Sequence, residues 1–415
     1  MGRTLLRFLG LLLGVILSFA IAALAFFALA PLINSLVALT VISAMVLLLV
    51  SCGVAWLMSK RLIPRFRPHF TILYSVVMLG LAYLLMVKLL PRPEVSYLMP
   101  EPLPGMEYWE LPTGSRLAYV HVPAVGSGHE APIIFLHGGP GFVVLESDVE
   151  FYGQLAQDGF DVYLYDQVGS GRSNRLEDVR GYTTERHVAD LEAVRQQIGA
   201  EQVILIGQSW GNTLLADYMA AYPEHVAKAI FSSPGAMWDV GRFKADYSGT
   251  ANSTIPNPGF PPLRVPLTVV LISRNPLIAQ QMLSERELEA YFDTLPTAPN
   301  QNYCKGAEDK VPVLDVRGTN QYVNRVTFSS QETYPDPRPS LRQGHTPALI
   351  MRGECEFLPF EVAYEYKQTL PNVTFLSIPN AGHALYGAQP DLILSILRAF
   401  LLDQKLPIQP FSGDY

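Results

Sequence analysis

The sequence predicts an α/β domain, a mostly parallel sheet flanked by helices, carrying a cap insertion and preceded by three transmembrane helices. Three observations carry this. Between Arg7 and Lys60 lies an uncharged gap of 52 residues. From Met106 onward, short β-branched or aromatic runs alternate with helical patterns, and that alternation lapses between about Gly235 and Gly344. The composition, 49% hydrophobic and 16% charged, falls below the ~25% charge of an average soluble chain. Disorder, coiled coil and highly charged nucleic-acid binders are thereby excluded. The charge is also divided: residues 1–100 carry eight Lys/Arg against the single acid Glu94, a formal +7, and the remainder carries −14.

As one helix the 52-residue gap would be ~78 Å long at ~1.5 Å per residue, more than twice the ~30 Å hydrocarbon core. It must cross twice, breaking at Pro31-Leu32-Ile33-Asn34-Ser35. Helices are expected at about 5–30 and 37–58, with a third at about 70–90, so that residues 1–91 form a membrane anchor. A cleaved signal peptide is the competing reading of the N-terminus, but the apolar run exceeds 7–15 residues and more apolar helix follows Pro31. The basic residues Arg3, Arg7, Lys60, Arg61, Arg65 and Arg67 place the N-terminus and the second connection in the cytoplasm. Three crossings then carry the remainder to the extracytoplasmic side of the cell membrane. Five prolines between Pro91 and Pro104 make residues 92–105 a stiff extended linker.

The strand-like runs are Arg116–Val122, Pro132–Leu136, Asp161–Tyr165, Gln202–Ile206, Ala227–Phe231, Ala348–Met351 and Val373–Ile378. Helical patterns at Glu185–Ile198, Trp210–Tyr222, Phe360–Leu370 and Asp391–Leu402 argue for a parallel sheet covered by helices. The core is expected at 106–234 and 346–415, with 235–345 inserted as a cap that includes a helix at Ser284–Leu295.

Four segments carry chemistry. Gly207-Gln-Ser209-Trp210-Gly211 joins a strand to a helix. A serine on such a sharp turn stands exposed at the sheet edge, with a helix N-terminus behind it to favour developing negative charge. His137-Gly138-Gly139-Pro140-Gly141 follows a second buried strand and brings bare backbone toward a substrate carbonyl. Pro140 has no N–H to give, so Gly139, with Gly138 in reserve, joins the amide of Trp210 as an oxyanion donor. His137 precedes the nucleophile and reads as structural. His383, in a loop after the last strand, is the expected base. Its acid partner should follow Ala348–Met351, where Glu354 and Glu356 compete, and the spacing favours Glu356. The fourth segment, Asp166-Gln-Val-Gly169-Ser-Gly171-Arg172, reads as a turn locked by Asp166 and Arg172 rather than a phosphate loop.

With these motifs in this order, residues 106–403 resemble the α/β-hydrolase superfamily, and within it the proline iminopeptidase (prolyl aminopeptidase) family. That family pairs His-Gly-Gly-Pro-Gly with Tyr-Asp-Gln-x-Gly-x-Gly-x-Ser, both present at 137–141 and 165–173. The resemblance implies Ser209 as nucleophile, His383 as base, and Gly139 with Trp210 as oxyanion donors; the family's acid is Asp, so Glu356 is a departure. The family's cap also grips the substrate's amino terminus with acids. No matching pattern stands here, although Glu285 and Glu289 on the insertion helix are candidates beside the alternative of a solvated helix face.

The expected activity is that of a membrane-anchored serine hydrolase releasing an N-terminal residue from a short peptide. The alternatives are an esterase or lipase beside the membrane, for which Leu263–Ile272 is apolar enough, and an inactive hydrolase-fold binding module. The expected partners are the substrate and the lipid bilayer. No metal cluster, dinucleotide fingerprint or basic stripe is visible, so no cofactor, metal or nucleic acid is expected, and nothing sets the oligomeric state. Cys304 and Cys355 face an oxidising space if the third helix spans, where they can pair.

Overall fold

A computed structural model describes residues 2–60, 64–246, 248, 250, 261–295, 302–307, 309, 311–312 and 316–413. Arg61 of the basic connection lies outside these. Three long helices come first: α1 (Gly2–Leu29), α2 (Leu36–Ser59) and α3 (Arg67–Leu89). Their apolar stretches, Leu9–Leu32, Leu36–Ser59 and Pro64–Lys88, are long and apolar enough to cross a membrane. Ser35 caps α2 by accepting the Ala38 N–H at 3.2 Å, which explains why the polar break sits where it does.

The sheet has eight strands in the order β1-β2-β4-β3-β5-β6-β7-β8. They are β1 (Met106–Glu110), β2 (Arg116–Val122), β3 (Ile133–Leu136), β4 (Val162–Tyr165), β5 (Val203–Ser209), β6 (Val226–Pro234), β7 (Ala348–Gly353) and β8 (Val373–Ile378). Strands β1 and β2 are antiparallel additions at one edge, and the other six are parallel. All four residues of β3 are buried, as expected when both faces of a parallel sheet are covered. The chain runs from β3 outward to β4, then returns to β5 on the other side of β3. This reversal is a topological switch point, where open α/β sheets place their sites.

Helices α4 (Glu146–Tyr152), α5 (Thr184–Ile198) and α6 (Trp210–Ala221) precede the insertion, which holds α7 (Arg264–Ile272), α8 (Pro276–Met282), α9 (Glu285–Asp293), α10 (Gln321–Gln331) and α11 (Arg338–Leu341). Then follow α12 (Phe360–Thr369), α13 (Leu385–Ala388) and α14 (Pro390–Leu401). Ile133, Phe135, Ile204, Ile206, Leu349 and Leu376 of the strands pack with Leu397 of α14 in the main core.

Two compact units emerge: Met1–Glu94 with Gly259–Glu287, and Val95–Pro258 with Leu288–Tyr415. The sequence reading places one insertion at 235–345; of that stretch, Gly259–Glu287 folds with the N-terminal helices. The reason is hydrogen-bonding. The last carbonyls of a helix lack intrahelical donors, and polar side chains of the insertion supply them. Asn275 Nδ2 donates to the Ala30 carbonyl at 3.0 Å and to Asn34 Oδ1 at 2.9 Å. Gln281 donates to the Asn34 carbonyl and accepts the Leu36 N–H. Arg264 Nε donates to the Leu90 carbonyl at 2.8 Å.

Candidate active site

Ser209 ends β5 and caps α6 with φ 53° and ψ −122°, a left-handed conformation that a side-chain-bearing residue adopts only under constraint. The constraint is close packing: a Cβ on Gly211 would run into the Leu136 carbonyl, and one on Gly207 would stand 2.8 Å from the Asn212 amide. The serine hydroxyl makes no cap bond to α6, leaving it for other chemistry at the helix N-terminus.

The neighbouring strand delivers the glycine loop, because Leu136 pairs with Gly207 across the parallel ladder. A Cβ on Gly138 would lie 2.8 Å from that of Ser209, so only glycine lets the two loops approach this closely. His137 is buried and both its ring nitrogens are occupied: Nδ1–H donates to the Gly138 carbonyl and Nε2 accepts the Gln167 N–H, each at 2.9 Å. Burial lowers its pKa and outweighs the opposing pull of Asp166 and the Gly138 carbonyl. It is therefore a neutral strut, as its place in the chain suggested. The Asp166 turn is locked as expected, with Oδ2 accepting the Arg172 N–H at 2.8 Å and Oδ1 accepting the Val144 N–H at 2.7 Å.

His383 and Glu356 meet in the loops after β8 and β7. His383 Nδ1 lies 2.9 Å from both Glu356 carboxylate oxygens, and both side chains are buried. Burial alone would raise the Glu356 pKa, but the charge and hydrogen bond of His383 and the Leu358 N–H outweigh it, so the net shift is downward. An ionised Glu356 holds a proton on Nδ1, which leaves Nε2 as the acceptor. Glu354 is exposed and accepts the Asn380 N–H at 3.1 Å, steadying the histidine loop from outside.

Gly139, Ser209 and Trp210 share a cavity of about 290 Å³ with Thr213, Phe243, Phe328, Phe357 and Leu358 among its other walls. Phe357 also packs on the His383 ring, 4.7 Å between centroids. Sequence reasoning missed several supports of this site. Asn320 and Asn324 of the insertion donate to the Gly169 and Pro140 carbonyls at 2.7 and 3.0 Å, fastening α10 to the glycine loop. Asp148 accepts from Tyr386 Oη at 2.6 Å and thus ties α4 to the histidine side; burial raises its pKa to about 6. Cys304 and Cys355 form a disulfide, so their expected pairing is present. Next to it, the Asn302 carbonyl accepts the Ala384 N–H at 3.0 Å.

Glu285 and Glu289 lie on α9, and Glu289 is not among the residues that wall the cavity. Both are buried, so a solvated helix face is also ruled out. Glu289 pairs with Arg175 at 2.5 Å, and Arg175 in turn donates to the Gly171 and Ser173 carbonyls. A carboxylate without solvent contact needs such a cation, and Arg175 claims this one.

A family model for the alpha/beta hydrolase fold matches residues 131–388. The chain belongs to that family. Among relatives of this hydrolase is a proline iminopeptidase of Lactobacillus delbrueckii subsp. bulgaricus, 28% identical over 324 residues, covering 71% of this chain and 97% of the relative. A proline iminopeptidase of Heyndrickxia coagulans is 40% identical over 124 residues, 29% of the hydrolase and 41% of that protein. A thermophilic esterase from Thermogutta terrifontis shares the fold at a TM-score of 0.50 and 17% identity, covering 72% of the hydrolase and 98% of the esterase chain.

Proposed function

We propose that the protein is a serine hydrolase working through an acyl-enzyme. The observation that carries this reading is the buried His383–Glu356 pair at 2.9 Å, borne on loops that follow parallel strands of the sheet whose β5 ends in the strained Ser209. In this reading Ser209 Oγ attacks the substrate carbonyl and His383 Nε2 takes its proton. The amides of Gly139 and Trp210 hold the oxyanion, and His383 returns the proton to the leaving group. Water, activated by the same histidine, then frees the acyl group.

Likeness to proline iminopeptidases supports an N-terminal proline or other small apolar residue as the acyl group. The aromatic and aliphatic walls of the 290 Å³ cavity suit such a group. A second reading, ester hydrolysis, is favoured by one observation: among the described residues no carboxylate lines that cavity to receive a free ammonium group. Comparing kcat/KM of the full chain in detergent on prolyl amides, alanyl amides and short acyl esters separates the two. Faster ester turnover overturns the peptidase reading. A fluorophosphonate probe that labels Ser209→Ala as well as wild type overturns both.

In this reading the catalytic residues lie on the extracytoplasmic side. Three crossings from a basic, cytoplasmic N-terminus support this, as does the Cys304–Cys355 disulfide, which persists in oxidising compartments. Protection of the hydrolase from external protease in intact cells, with cleavage only after lysis, would refute the placement.

A further inference from the structure

The anchor unit holds a second cavity, about 440 Å³, to which the proposed chemistry assigns no role. Its walls come from α1, α2, α3 and α7, with Phe26, Ala44, Leu47, Leu85, Leu267 and Leu271 among them. It is an open groove walled almost wholly by apolar side chains, and an apolar surface of this kind marks a place where another apolar molecule sits. Its depth narrows the choice. On α1 it runs from Phe19 to Phe27, ~12 Å at ~1.5 Å per residue, within one ~15 Å leaflet of the hydrocarbon core. On all three anchor helices it adjoins the same end: the last turns of α1 and α3 and the first turns of α2.

Charge narrows it further. Arg264 lies at the rim, donating to the carbonyls of Leu90 and Met282, two residues that line the cavity. Among the described residues its hydrogen bonds go to carbonyls alone, and nearby Glu287 is already paired with Arg92 at 2.5 Å. Arg92 and Glu287, the two charges that act on Arg264 most directly among the described residues, offset each other. Inside, the Ser43 hydroxyl is buried with no hydrogen-bond partner. An apolar slot of leaflet depth with a cationic rim matches one molecule in its surroundings.

We propose that this cavity is a binding site for an anionic phospholipid, one acyl chain lying between α1, α2 and α3 under α7 and the headgroup phosphate set against Arg264. The occupant belongs to the bilayer half on the side of the Pro31 turn. The site is independent of whether Ser209 prefers amides or esters.

The test uses the full chain in nanodiscs of mixed phosphatidylglycerol and phosphatidylcholine, with either lipid carrying a photoactivatable diazirine on its acyl chain. Labelling is expected to concentrate on peptides spanning residues 19–27 and 267–271. Phosphatidylglycerol should be favoured about fivefold, as one cation near a lipid surface provides. Arg264→Gln should abolish that preference without moving the labelled positions. Ala44→Trp should deplete labelling at those peptides while sparing the outward-facing Leu13 and Leu49, which are 65% and 71% exposed. Labelling spread evenly over the anchor would overturn the proposal, as would equal labelling by both lipids in wild type or crosslinks to a second protein in place of lipid. If Ala44→Trp does not fold, the wild-type positions and the Arg264→Gln comparison decide the matter.

Discussion

Replacing Glu356 with Gln keeps the side chain's length and one acceptor for His383 Nδ1–H, but removes its charge. Each carboxylate oxygen lies 2.9 Å from Nδ1, which puts the charge centres of an imidazolium–carboxylate pair about 4 Å apart. At an effective dielectric of ~20 such a pair is worth about 4 kcal/mol. In the proposed mechanism the imidazolium forms only as Ser209 loses its proton, so the stabilisation belongs to the transition state and not to bound substrate. At about 1.4 kcal/mol per decade, kcat should fall ~10³-fold with KM nearly unchanged. Fluorophosphonate labelling should slow in parallel. Glu354→Gln removes the charge from one exposed contact to the Asn380 amide and should change kcat by no more than a few-fold. Steady-state kinetics on one amide and one ester substrate, with thermal unfolding to confirm folding, measures both. A kcat for Glu356→Gln within tenfold of wild type would refute this assignment of the acid, and so would an equal loss in Glu354→Gln.

Glu289→Ala strips Arg175 of a buried partner and should cost about 3–5 kcal/mol of stability, read by denaturant unfolding. The ratio of amide to ester kcat/KM should not move, whereas an amino-terminus receptor would lose amide activity selectively. Cys304→Ser opens a disulfide spanning 51 residues, a loop whose closure is worth about 4 kcal/mol in the chain-entropy account; the variant should unfold earlier than wild type and show no further response to reductant. Asp148, raised by burial from 3.8 to about 6, binds its proton more tightly in the folded state, so folding gains least where the group must ionise. Its contribution should fall by about 3 kcal/mol in all as pH rises from about 3 to 7, and Asp148→Asn should remove that part of the slope from the pH dependence of urea midpoints.

The legible parts of this chain are those whose physics is local. Gly207 and Gly211 mark the serine turn because only they admit the packing found there, and the helix ends around Ser35 follow from a polar break in an uncharged run. The choice of Glu356 over Glu354 rested on spacing alone, and the ring of His383 lies against that carboxylate. What escaped was set by distant partners. Strand β1 buries only Trp109, which stacks on Tyr119 at 3.7 Å, too little for a sequence period. Helices α7 and α8 are short, nine and seven residues, too few turns for a clear period. Nothing around Asn275 announces that its amide will find Asn34, and nothing around Glu289 announces Arg175. Asn320 carried one usable sign, a capping residue just before a helical run, but not its bond to the Gly169 carbonyl.

The bond from Asn275 to the Ala30 carbonyl spans 245 residues. At synthesis rates of about 5–20 residues per second, roughly 12–50 s separate the emergence of its two ends. If the first helices cross a bilayer, they can enter it well before the chain that finishes them exists. Through that interval the end of α1 has only water and lipid headgroups as hydrogen-bond donors, and the slot between the helices stands open on the side α7 will cover. Ser209 is made before α7, so the helical unit is begun first yet completed only after the serine turn has been synthesised. Ribosomal stalling or truncation between residues 210 and 260 should therefore leave an inserted but unfinished anchor, the form that membrane quality-control proteases would meet.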